Sequence, residues 1–189
     1  MYTIETITPP ATEPVSVAEL KDHLHMNHDD EDTQLAQFIT SARELFESWT
    51  GRAVHPTGFR QHVPYLNSRI YLMRAPVTAI TAVKYYDAED QLQTASGYYT
   101  DRISTPASVW FQSYPVTSPT ITPKAFVEFT AGWDEAAVPE GVKLAIKLLA
   151  GHYYDHREAF GTDNLTALPM GFRSVCDQYK TGLIGPWGM

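Results

Sequence analysis

Two histidines four residues apart, His152 and His156, lie in the run His152-Tyr153-Tyr154-Asp155-His156. On a helix that spacing puts both imidazoles on one face, as in the metal-holding helix of zinc peptidases. Those enzymes carry a general-base Glu directly after the first histidine, and here that position is Tyr153. No third ligand is marked by spacing. A small metal-dependent hydrolase using His152 and His156, with Asp155 in support, is therefore the alternative reading, and we expect neither a bound metal nor catalysis. His23, His25 and His28 could in principle gather a transition metal, but surface histidines explain them more simply. Residues 27–32 superficially resemble a calcium loop, yet they lack its turn glycine and distal bidentate Glu. Cys176 is the single cysteine, so it has no internal disulfide partner, and no nucleophile motif surrounds it. No G-x-S-x-G, P-loop or dinucleotide fingerprint occurs, and no cofactor is expected.

The bulk properties point the same way. The 189 residues carry 14 basic and 22 acidic side chains, for a net charge of −8. A chain that grips phosphate usually shows a basic field, so non-specific nucleic-acid binding is disfavoured. No stretch approaches the ~20 apolar residues that span a bilayer. The opening MYTIETITPP has neither a basic region nor an apolar run, so we expect no signal peptide and a soluble chain, intracellular at synthesis. Thirteen prolines and 12% aromatics imply many turns and large side chains available for interfaces.

The elements that must position these residues read as follows. Residues 1–14 form an extended arm, because Pro9, Pro10 and Pro14 oppose helix. Ser16 with Glu19 makes a capping box, opening a helix to about Met26. The acidic residues 29–32 start the next helix, where Asp29 or Asp30 can cap free N–H groups. Leu35, Phe38, Ile39, Ala42, Leu45, Phe46 and Trp49 keep helical spacing up to Gly51, whose left-handed conformation ends it. From about Thr57 the period changes. Runs at 59–63, 69–72, 80–86, 98–103, 109–111 and 125–130 are short and rich in β-branched and aromatic residues, giving five or six antiparallel strands. Residues 87–91 read as a hairpin turn, and 113–123, with Pro115, Pro119 and Pro123, as a long loop with a role outside the fold. Pro139 suits the first turn of a helix carrying Val142, Ala145, Ile146, Leu149, Tyr153 and His156. A last short helix covers 170–179, before an apolar, glycine-rich end, TGLIGPWGM.

The fold class is thus α+β: a helical bundle, made of an N-terminal helical hairpin and a long C-terminal helix, with an inserted antiparallel β-subdomain. Residues 1–56 supply the arm and hairpin, 57–134 the insertion, and 135–189 the C-terminal helices and a tail packing on the first segment.

Several motifs recur in a fixed order: P-x-x-x-P-V-S-V-A-E-L-K-x-H-L from Pro10, D-D-E-D from Asp29, then W-T-G-R from Trp49. R-A-P-V-T-A-I-T-A-V-K-Y-Y-D from Arg74, F-T-A-G-W from Phe129 and V-P-E-G-V-K-L-A-I-K-L-L-A-G-H-Y-Y-D-H-R-E-A from Val138 follow. Over residues 10–159 this set resembles the long form of the head-tail connector (adaptor) family of siphophages and gene transfer agents. The resemblance implies a structural virion protein, not an enzyme, assembling in the host cytoplasm and residing at the neck. It would form a homo-oligomeric ring, commonly of twelve copies, between the portal protein and a stopper or tail-terminator protein. DNA would pass through the lumen without specific binding, and no membrane is involved. Within that role we expect Leu183, Ile184, Pro186 and Trp187 to dock on the portal. Tyr114, Pro115, Pro119 and Pro123 are expected to contact a neighbouring subunit or the tail side.

Overall fold

The capping box forms as its residues require. In a computed structural model that describes residues 3–156 and 169–182, the Ser16 hydroxyl accepts the Glu19 N–H at 3.2 Å. The Glu19 carboxylate accepts the Ser16 N–H at 2.7 Å in return. These bonds start α1 (Val17–Leu24), which ends where His25 turns left-handed at φ 57°. The next helix, α2 (Asp32–Thr50), begins later than the acidic run. Asp29 turns its carboxylate to the Lys21 ammonium, which also takes Asp32 at 3.0 Å. The acids therefore tie the start of α2 to α1 through an ion pair, a role different from the expected capping by Asp29. Gly51 follows α2 at φ 74°, where only glycine is free of strain.

Helices α3 (Glu140–Asp155) and α4 (Met170–Tyr179) complete one compact unit, made of residues 12–50, 134–156 and 169–180. Pro139 stands just outside α3 as its N-cap. Leu35, Ile39, Ala42 and Phe46 on α2 are buried, as are Val142, Ala145, Ile146 and Leu149 on α3. Gly151 lets α1 approach: a Cβ there would lie 3.2 Å from Leu24 Cδ2. Arg43 is the buried charge of this unit. Its Nε meets Glu13 at 2.8 Å and its Nη1 meets Glu47 at 2.9 Å. A buried guanidinium is tolerable only with such partners.

The second unit, residues 3–11, 51–133 and 181–182, is all β. Its strands are β1 (Thr3–Thr8), β2 (Thr57–Val63), β3 (Arg69–Tyr71), β4 (Val77–Tyr86), β5 (Leu92–Thr94), β6 (Tyr98–Asp101), β7 (Ser108–Phe111) and β8 (Ala125–Ala131). A five-stranded sheet runs β1-β2-β8-β4-β5 and a three-stranded sheet runs β3-β7-β6, and neighbouring strands in both are antiparallel. Along β2 burial alternates residue by residue, the period of a strand with one face in the core. Phe59 and Phe129 are direct partners across β2 and β8, with rings 5.8 Å apart. They join Val63, Ile70, Val83, Val109, Phe111 and Val127 in one apolar cluster. Two strands go beyond the expected six. β1 occupies the expected arm, where Thr3, Ile4, Thr6, Ile7 and Thr8 are β-branched and the prolines only stop the strand.

Two polar details hold this unit. Gln61, wholly buried on β2, donates from Nε2 to the Tyr71 carbonyl and accepts the Met73 N–H, both at 2.8 Å. Gly132 sits at φ 132°, where a Cβ would meet the His55 carbonyl oxygen at 2.0 Å. This is why the F-T-A-G-W motif carries glycine there.

Candidate assembly surface

The three-stranded sheet has one face in the core and one in solvent. Ile70, Val109 and Phe111 point inward, and Tyr98 meets Phe111 at 5.8 Å. Alternation then sends Arg69, Tyr71, Tyr99 and Trp110 to the exposed face. Register places Tyr99 opposite Trp110, and Trp110 opposite Arg69, in one row across the sheet. The Tyr99 and Trp110 rings stack at 4.4 Å and 20°. Tyr71 lies beside them with the Arg69 guanidinium 5.9 Å from its ring centre. Tyr99 is 52% exposed, Tyr71 46% and Trp110 37%. Exposed aromatics beside an arginine are the composition of protein interface centres.

The long loop has its own organisation. Asp90, left-handed at φ 63° in the β4–β5 turn, accepts Ser118 Oγ at 2.5 Å and Thr120 Oγ1 at 2.8 Å. Ser118 Oγ in turn accepts the Thr120 and Ile121 N–H groups, while Lys124 Nζ donates to its carbonyl at 2.7 Å. Hydrogen bonds from Ser118 and then Thr120 hold the Asp90 carboxyl below its usual range. Residues 87–91 make the expected hairpin turn, with the Asp87 carboxylate taking the Glu89 and Gln91 N–H groups. The middle of the loop is thus bound to the sheet without help from a partner. Tyr114 and Pro119 are exposed, whereas Pro115 and Pro123 are half-buried. Leu183, Ile184, Pro186 and Trp187 lie outside the described residues.

The residues singled out for chemistry do not converge on a centre. His152 and His156 do share a face, with rings 4.4 Å apart, and His156 Nδ1 lies 3.1 Å from the His152 carbonyl oxygen. Burial, then the neighbouring His156, pushes the His152 pKa down, with Asp155 opposing. Among the described residues no group of three or more His, Cys, Asp or Glu is placed to hold a metal. Cys176 is buried in α4, and burial pushes its thiol up to about 12, the opposite of an activated nucleophile.

The exposed aromatic row has the make-up of a protein-contact surface. The family model of head completion proteins matches residues 13–164, and the chain belongs to that family. The assignment agrees with the resemblance carried by the ordered motifs, and it makes the chain a structural protein rather than an enzyme. No curated protein matches it. Among solved structures, a chain of the neck of an empty GTA particle, computed with C6 symmetry, is similar at 23% identity and TM-score 0.78. A chain from the virion of a native gene transfer agent particle gives the same values. Both alignments cover 99% of this chain and all of the other. A chain from the neck of a native GTA particle, computed with C12 symmetry, is 24% identical with TM-score 0.72, covering both chains completely. The alignments thus take in helical and β segments alike.

The aromatic row was not among the expected site residues. Its signal was present as an aromatic at the outward position of three strands, but only the pairing register shows that Arg69, Tyr99 and Trp110 are neighbours.

Proposed function

We propose that this chain is the head–tail adaptor of a phage or phage-derived particle, forming a ring of twelve copies in the neck. The portal protein would lie on one side and a stopper or tail-terminator protein on the other. The observation that carries this reading is the family match, which spans helical and β segments alike. The neck location and the cyclic arrangement come from the similar chains, which belong to GTA neck structures computed with C6 and C12 symmetry. In this reading α1, α2 and α3 act as one helical bundle and the β segment is an insertion serving contacts outside the subunit. A net charge of −8 suits a protein through whose ring DNA slides, because it offers little counterion-release attraction. Among the described residues no helix is long and apolar enough to cross a membrane.

Tyr114, Pro115, Pro119 and Pro123 would touch a neighbouring subunit or tail-side protein, and Leu183, Ile184, Pro186 and Trp187 the portal. Removing the chain from the producing genome tests the role. DNA-filled heads lacking tails, restored by supplying the chain in trans, are expected. Normal tailed particles without it would overturn the proposal.

A further inference from the structure

The aromatic row on the three-stranded sheet calls for an occupant, and charge selects one. Segments 1–11, 51–133 and 181–189 hold seven basic and six acidic residues, whereas 12–50 and 134–180 hold seven basic and sixteen acidic. The negative charge of the chain therefore resides in the segments that carry the helices. Resting on the ring reading above, we propose that the Tyr71, Tyr99 and Trp110 face of one copy docks on the acidic helical segments of the next copy, with Arg69 facing carboxylates there.

A closed ring of identical subunits uses heterologous contacts, in which each subunit offers two different and complementary patches. This chain offers such a pair. One patch is aromatic, with Trp110 in the middle of its row and the exposed Arg69 at one end. The helical segments offer exposed carboxylates, among them Asp22 and Asp30. Rings stacked at 4.4 Å already have a partner holding them in place, so little side-chain entropy is lost on docking. Nucleic acid also accepts aromatics and arginine. The segments that carry this face, however, hold seven basic against six acidic residues, which is not the basic field that grips phosphate.

The test places a photo-crosslinker on the face in the full chain, as Tyr99→p-benzoylphenylalanine, and irradiates purified particles assembled with it. The expected product is an adduct of two copies, mapped by mass spectrometry to residues 12–50 or 134–180 of the second. An adduct with DNA, with another virion protein or with the β segments of a second copy would overturn the proposal. So would no adduct in particles that contain the variant. Absence of the wild-type chain from particles would overturn the adaptor reading and this contact with it. A second variant guards against misfolding: Arg69→Glu, with unchanged circular dichroism, should cut copies per particle roughly tenfold. Arg69→Lys should keep most of them. Normal incorporation of Arg69→Glu would also sink the contact.

Discussion

Gln61 gives the sharpest test of how the β unit is held. Its amide is inaccessible to solvent and makes two hydrogen bonds of 2.8 Å, to the Tyr71 carbonyl and from the Met73 N–H. A buried backbone group stripped of its partner costs about 1–3 kcal/mol. Tyr71 and Met73 are themselves partly exposed, so relaxation towards water favours the low end. Gln61→Leu fills the same volume and should cost about 2–3 kcal/mol. Gln61→Ala adds a cavity and should cost about 3–4 kcal/mol. Gln61→Glu separates the two bonds. An ionised carboxylate keeps the Met73 N–H but opposes the Tyr71 carbonyl, whereas the protonated acid can serve both. The folded pKa of that introduced acid is raised, so its stability is present at low pH and lost as pH rises through the folded value. Urea unfolding of the three variants at pH 7 and of Gln61→Glu at pH 5 measures this. The reasoning fails if Gln61→Leu lies within about 0.5 kcal/mol of wild type, the range of an ordinary surface change.

Three further outcomes are expected. Arg43→Ala removes the guanidinium that pairs with Glu13 and Glu47 and should cost about 2–4 kcal/mol in urea melts, with Arg43→Lys retaining part of the loss. The Asp90 clasp on the 113–123 loop works through a lowered pKa. It should hold above the ordinary Asp value of about 3.9 and fail as pH falls through the lower folded value, seen as faster amide exchange at Thr120 and Ile121. Truncation after Lys180 should leave a folded protein that no longer binds portal rings, with Trp187→Ala a partial version.

Local rules made much of this fold readable. Ser16 and Glu19 specify their helix start by direct reciprocal bonding, and Gly51 specifies a helix end. Both depend only on neighbours in sequence. The edge strands β1 and β5 were harder. β5 is three exposed residues, and β1 exists because β2 offers it an edge, a non-local fact that proline spacing obscured. Asp29, one of the two expected caps, pairs instead with Lys21, eight residues away in sequence. The His152 pair was legible as a pair, and Tyr153 already argued against a peptidase. The aromatic face needed register, which sequence does not carry: Arg69, Tyr99 and Trp110 are brought into one row only by two strand pairings.

The central claim is the adaptor ring itself, and cryo-electron microscopy of the neck in purified particles tests it most directly. Twelve copies of this fold in a closed ring between portal and tail are expected, identifiable by the five- and three-stranded sheets of each subunit. A neck built without this chain, or the chain found elsewhere in the particle, would contradict it.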